Sequence, residues 1–119
     1  MPKPRHIRDP TAVRIAFDLV FRKGRSPPSC PMPDDRELQN LIMDRAPEAS
    51  ASECRDALIM VRKLSYDVYQ VCDAFREGSY GKGNDGENAA IRDLEEKNPS
   101  FTPDEYQKAF AVGMMWTAL

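Results

Sequence analysis

Between Ser50 and Gly78 the chain carries one uninterrupted apolar stripe at helical spacing. Cys54, Val61, Val68 and Phe75 recur every seventh residue. Ala57, Leu64 and Val71 fall three residues after the first three of these, and Leu58 and Cys72 fall four after the first and third. That periodicity specifies an amphipathic helix. Ser50 and Glu53 have capping-box spacing at its start, and Gly78 supplies a residue tolerant of positive φ at its end. A helix over 51–77 is about 39 Å long at about 1.5 Å per residue. A chain of 119 residues folds to a diameter of about 35 Å, so this helix must cross the whole molecule and the rest must pack against it. Its outer side is not purely polar either: Ile59, Tyr66 and Tyr69 lie off the main stripe.

The flanking segments read as four shorter helices. The basic stretch 1–8 is expected to be a flexible arm, and residues 9–119 a single helical domain. Asp9 and Pro10 open a helix that is apolar on nearly every side and runs to about Lys23 before Gly24. Thr11, Arg14, Asp18 and Arg22 form its thin polar stripe, with Arg14 and Asp18 at i,i+4 spacing. Residues 25–33 hold four prolines and make a stiff connector. A second helix begins near Pro33, turns Leu38, Leu41 and Ile42 inward, and stops before Pro47. After the long helix, four glycines within residues 78–86 predict an irregular loop, followed by a helix from Glu87 to Lys97. Thr102, Pro103, Asp104 and Glu105 start the last helix, with Phe101 placed to staple against Tyr106. No strand pattern and no internal repeat is visible. The expected fold is all-α, a five-helix bundle around the helix at 51–77, with Phe17, Leu19, Leu41, Leu58, Val61, Leu64, Val68, Val71, Phe75, Phe110 and Trp116 in its core.

Several chemistries lack their residues. His6 is the sole histidine and falls in the arm, which leaves no placed base for a hydrolytic triad and no set of zinc ligands. Cys54 and Cys72 sit on the core stripe about 27 Å apart, too far for a shared metal or a disulfide. Cys30 has no histidine partner that would make it a nucleophile. Glu95–Glu96 and Asp104–Glu105 are accounted for by solvation and by the positive end of the helix dipole. No catalytic residue, metal or cofactor is therefore expected. Three cysteines at irregular spacing, no signal peptide and no spanning segment suggest the cytoplasm.

Three functional classes remain. The first is a non-catalytic interaction or assembly module. The second is a nucleic-acid accessory protein using Lys3, Arg5 and Arg8. The third is a binder of a phosphate-bearing ligand at the glycine-rich loop, through Tyr80, Gly81, Lys82 and Gly83. The letters of Gly81–Gly86 match a dinucleotide fingerprint, but a helix precedes them where that fingerprint needs a strand.

Apolar surplus favours the first class, in the form of a homodimer. Ile59, Tyr66, Tyr69, Met114 and Met115 exceed what five helices can hide, and such surplus marks an interface. Charge is also uneven: up to Arg25 there are seven Lys/Arg against two Asp/Glu, net +5, and afterwards ten against seventeen, net −7. These parts are expected to attract each other within or between copies.

Overall fold

The computed structural model describes residues 10–21 and 35–118. The basic arm, His6, the proline-rich connector and Cys30 lie outside the described residues. Five helices follow in order: α1 (Pro10–Val20), α2 (Asp35–Arg45), α3 (Ala51–Arg76), α4 (Gly83–Lys97) and α5 (Pro103–Trp116). No strand occurs among the described residues. The architecture is an all-α bundle, and α3 packs against each of the other four.

The ends of α3 are fixed by local chemistry. Ser50 Oγ accepts from the Glu53 amide at 3.0 Å, and Glu53 Oε1 accepts from the Ser50 amide at 2.8 Å. At the other end Gly78 takes φ 88°. The Gly78 amide donates to Phe75 O and the Ser79 amide to Ala74 O. This Schellman arrangement satisfies carbonyls that a helix end otherwise leaves open. The same logic opens α5: Thr102 and Glu105 exchange bonds of 3.1 and 3.0 Å, and Pro103 occupies the first turn, where its missing N–H costs nothing.

Helix α1 fills the middle of the core. Phe17 stacks on Phe21 at 4.6 Å between ring centroids, Phe21 on Trp116 at 5.4 Å, and Phe17 meets Phe101 at 6.1 Å. These rings tie α1 to both ends of α5. Phe101 also meets Tyr106 edge-on at 6.0 Å, the staple expected from the sequence. Arg14 leaves the polar stripe of α1 to bind α5: its Nη2 donates to Ser100 O at 3.2 Å, and its Nε lies 2.7 Å from Glu105 Oε2, close but out of line for a hydrogen bond.

The structure departs from the sequence reading in three places. Helix α4 begins at Gly83, four residues before Glu87. Gly86 is the reason: a Cβ there would stand 2.6 Å from Gly81 O, so the bare glycine lets the first helical turn nest against the loop. Leu41 faces outward, 38% exposed; Leu38, Ile42 and Ala46 at i,i+4,i+8 form the buried line of α2 and leave Leu41 on its shoulder. Phe75 is only half-buried, its ring edge-on to Phe110 at 5.4 Å.

The Cα envelope measures 45 × 37 × 16 Å. Helices pack at about 8–10 Å between axes, so the short dimension holds two layers of helix. Among the described residues, a flat bundle of this kind leaves one side of its longest helix without a helix over it.

Candidate interaction surface

The buried side of α3 comprises Cys54, Ala57, Leu58, Val61, Leu64, Ser65, Val68, Val71 and Cys72. Turning about 120° away from that line at 100° per residue brings up Arg55, Ile59, Arg62, Tyr66, Tyr69 and Asp73. These alternate at spacings of four and three, the period of a helix–helix seam. Ile59 is 59% exposed and Tyr66 54%. Arg55 and Asp73 are exposed at the two ends, and Arg62 and Tyr69 are half-buried along the edge. Arg55 and Asp73 are eighteen residues apart, about five turns and about 27 Å, so they point the same way. Neither enters an ion pair with another described residue.

Of the sequence-derived interface residues, the structure thus gathers Ile59, Tyr66 and Tyr69 on one face. Met114 and Met115 are on α5, which reaches α3 through Arg76: Arg76 Nη2 donates to Met114 O at 2.6 Å and its Nε to Thr117 Oγ1 at 2.8 Å. Met114 is half-buried and Met115 is 50% exposed. The flanking charges Arg55 and Asp73 were missed in the sequence, although their spacing of five full turns from each other was readable there.

The glycine-rich loop is held by its own residues. Gly78, Gly81 and Gly83 take positive φ. Tyr80, half-buried, donates its hydroxyl to Asp93 Oδ2 at 2.6 Å, which pins the loop across the first turns of α4. Burial, then the bond to Asp93, pushes the Tyr80 phenol up to about 12. That same bond is the main reason the Asp93 carboxyl is held below its ordinary value, with Lys97 adding to it. Lys82 is the N-cap of α4 and makes no side-chain cap bond. The loop therefore brings Tyr80, Gly81, Lys82 and Gly83 together, but with the Tyr80 hydroxyl already engaged.

A shallow groove of about 200 Å³ lies between α3 and the α4–α5 turn, bounded by Met60, Lys63, Lys97 and residues 98–101. Lys63 Nζ donates to Asp67 Oδ2 at 2.9 Å, Lys97 O at 3.0 Å and Asn98 Oδ1 at 3.2 Å. All three ammonium protons are thereby used, at a helix C-terminus where a cation belongs. Asn98, buried, donates from Nδ2 to the same Asp67 oxygen at 2.9 Å, and Lys97 Nζ lies 3.3 Å from Asp93 Oδ2. The cations of the groove are neutralised by the fold and serve as a joint between α3 and α4.

Cys54 and Cys72 are buried and take part in no disulfide. Burial pushes the Cys72 thiol up to about 12 against a smaller opposing pull from Arg76, and the thiol donates to Phe110 O at 3.5 Å. A thiol so far from its thiolate is no nucleophile at neutral pH. Among the described residues, no group of three or more His, Cys, Asp or Glu could hold a metal ion.

Comparison of the chain with protein-family models, with curated proteins and with solved structures gives no match.

Proposed function

We propose that the protein is a non-catalytic interaction module that works as a homodimer, with the outer face of α3 as its docking surface. One observation carries this reading. Ile59 and Tyr66 stand 59% and 54% exposed on a single face of the helix that spans the bundle. Isolated apolar side chains on a surface need no explanation, but a run aligned along one helix and flanked by charges does. Tyrosine and arginine are the residues most enriched where interfaces draw their binding energy. The cytoplasm is the location that goes with this reading, supported by two cysteines, Cys54 and Cys72, that form no disulfide. No described helix is long and apolar enough to cross a membrane.

The test is an Ile59→Asp/Tyr66→Asp double variant. Both positions are exposed, so its thermal midpoint is expected to match the parent, each change acting within about 0.5 kcal/mol. Its sedimentation profile and the set of proteins cross-linked to it are expected to differ from the parent's. A folded variant identical to the parent in both respects would overturn the reading.

A further inference from the structure

We infer that the outer face of α3 pairs with the same face of a second copy, antiparallel, about a two-fold axis level with Leu64. This rests on the homodimer reading and specifies how the two copies pair.

The charge order along the face selects the arrangement. From the N-terminal end it runs Arg55, Ile59, Arg62, Tyr66, Tyr69, Asp73. Laid antiparallel with the midpoint at Leu64, the face meets itself in complementary pairs. Arg55 stands opposite Asp73 of the second copy, and Asp73 opposite its Arg55. Ile59 meets Tyr69, and Tyr66 meets the Arg62 stem and guanidinium, which keeps its engagement within its own chain and still presents an edge to a ring. The apolar pair lies inside, and the two ion pairs close the ends.

Other arrangements do worse. A parallel two-fold pairing sets Arg55 against Arg55 and Asp73 against Asp73, and like charges across an interface suppress the arrangement. It also aligns the two helix dipoles, which antiparallel packing opposes. Sliding the antiparallel register by one heptad one way leaves Arg55 opposite Tyr66. Sliding it the other way brings Arg62 opposite Asp73, but it sets Ile59 against Arg76, whose guanidinium is bound to α5, and carries Arg55 past the end of the second α3. Only the Leu64-centred register pairs both terminal charges.

A seam about 27 Å long on one helix buries less than the roughly 800 Å² per partner of a typical stable interface. The dimer is therefore expected to form and dissociate with concentration. Sedimentation of the full chain from micromolar to millimolar concentration is expected to move from a mass of 13.5 kDa toward twice that. Arg55→Glu and Asp73→Arg, each checked for an unchanged melting curve, are expected to raise the dimer dissociation constant about tenfold or more, because two-fold symmetry makes each change act twice. Combining Arg55→Glu with Asp73→Arg restores the pair with reversed polarity, and with it the dimer. A chain monomeric at every concentration overturns the pairing. If cross-linking to other proteins is nonetheless lost in Ile59→Asp/Tyr66→Asp, the interaction module stands, and only its homodimer form falls with the pairing. A dimer indifferent to both reversals, or reversals with no rescue in combination, places the contact elsewhere and overturns the inference.

Discussion

Gly113 on α5 lies so close to Val68 on α3 that a Cβ at the glycine would stand 2.4 Å from Val68 Cγ1, and 2.6 Å from Cys72 Sγ. The hydrogen of glycine is what allows the last helix to seat against the central one. Gly113→Ala sets two effects against each other. Helix propensity favours alanine by about 1 kcal/mol. Overpacking of a close core contact costs about 1–3 kcal/mol, and both obstructing atoms belong to buried residues with little room to retreat. The net expectation is destabilisation by up to about 2 kcal/mol, read as a lower midpoint in urea with an unchanged slope. A raised midpoint would show that the helices are further apart than described.

Burial of Tyr80 and its bond to Asp93 give the glycine-rich loop a pH dependence at both extremes. Asp93 is held below its ordinary carboxyl value by that bond, so its contribution to stability is present above about pH 4 and is lost as the pH falls through the lowered value. Tyr80 is raised from 10.0 to about 12, so its contribution is intact below pH 10 and is lost as the pH climbs toward 12. Tyr80→Phe deletes the donor, which relaxes the Asp93 shift, and removes the titrating phenol itself. Stability measured against pH is expected to show shallower acid and alkaline limbs in the variant, with the parent's extra stability confined to the range between them. Acid limbs that superimpose would mean the bond does not persist in solution.

Val61 occupies the centre of the core line of α3 and is fully buried. An aspartate there would sit inside the apolar core, and an unpaired buried charge costs several kcal/mol against a total of about 5–15 kcal/mol for a domain. Val61→Asp is expected to abolish the cooperative melt. A variant melting within a degree or two of the parent would remove α3 from the centre of the bundle.

Much of this was readable in the sequence because it depends on local chemistry. The stripe from Cys54 to Cys72 and both capping boxes involve residues within a turn or two of each other. Where the reading failed, the cause was a contact from elsewhere in the chain. Leu41 has the spacing of a core residue, but α2 meets α1 and α3 along the line of Leu38 and Ile42. Gly83 reads as loop in the sequence, yet Gly86 nests against the Gly81 carbonyl and the helix begins at Gly83. Arg14 and Asp18 are spaced to pair, yet Arg14 reaches Glu105 and Ser100 some ninety residues away. The proposed surface was half legible: Ile59, Tyr66 and Tyr69 stood out as apolar residues on a polar side. Arg55 and Asp73 did not, because an exposed charge on a helix is ordinary until its position relative to a shared face is known.

Ser100, in the turn between α4 and α5, is the described non-glycine residue with positive φ, at 95°. Such backbone strain costs a residue with a Cβ about 1–2 kcal/mol and persists only where the surroundings impose it. Here they do. Tyr106 donates its hydroxyl to Asn98 O at 2.5 Å and accepts from the Phe101 amide at 3.4 Å, clamping the residues on either side. Arg14 Nη2 donates to Ser100 O at 3.2 Å, and the Phe101 ring is wedged between Phe17 and Tyr106. The Ser100 side chain itself is exposed, so removing it forfeits little packing. Ser100→Gly relieves the strain and adds about 0.4–1 kcal/mol of unfolded-chain entropy against folding. The balance is a gain of about 0.5–1 kcal/mol, a rise of a few degrees in Tm for a domain of this size, where 1 kcal/mol corresponds to about 4–8 °C. Ser100→Val, which adds β-branching at a backbone position that resists it, is expected to lower Tm by a comparable amount or more. A fall in Tm for the glycine variant would mean the turn relaxes out of positive φ in solution.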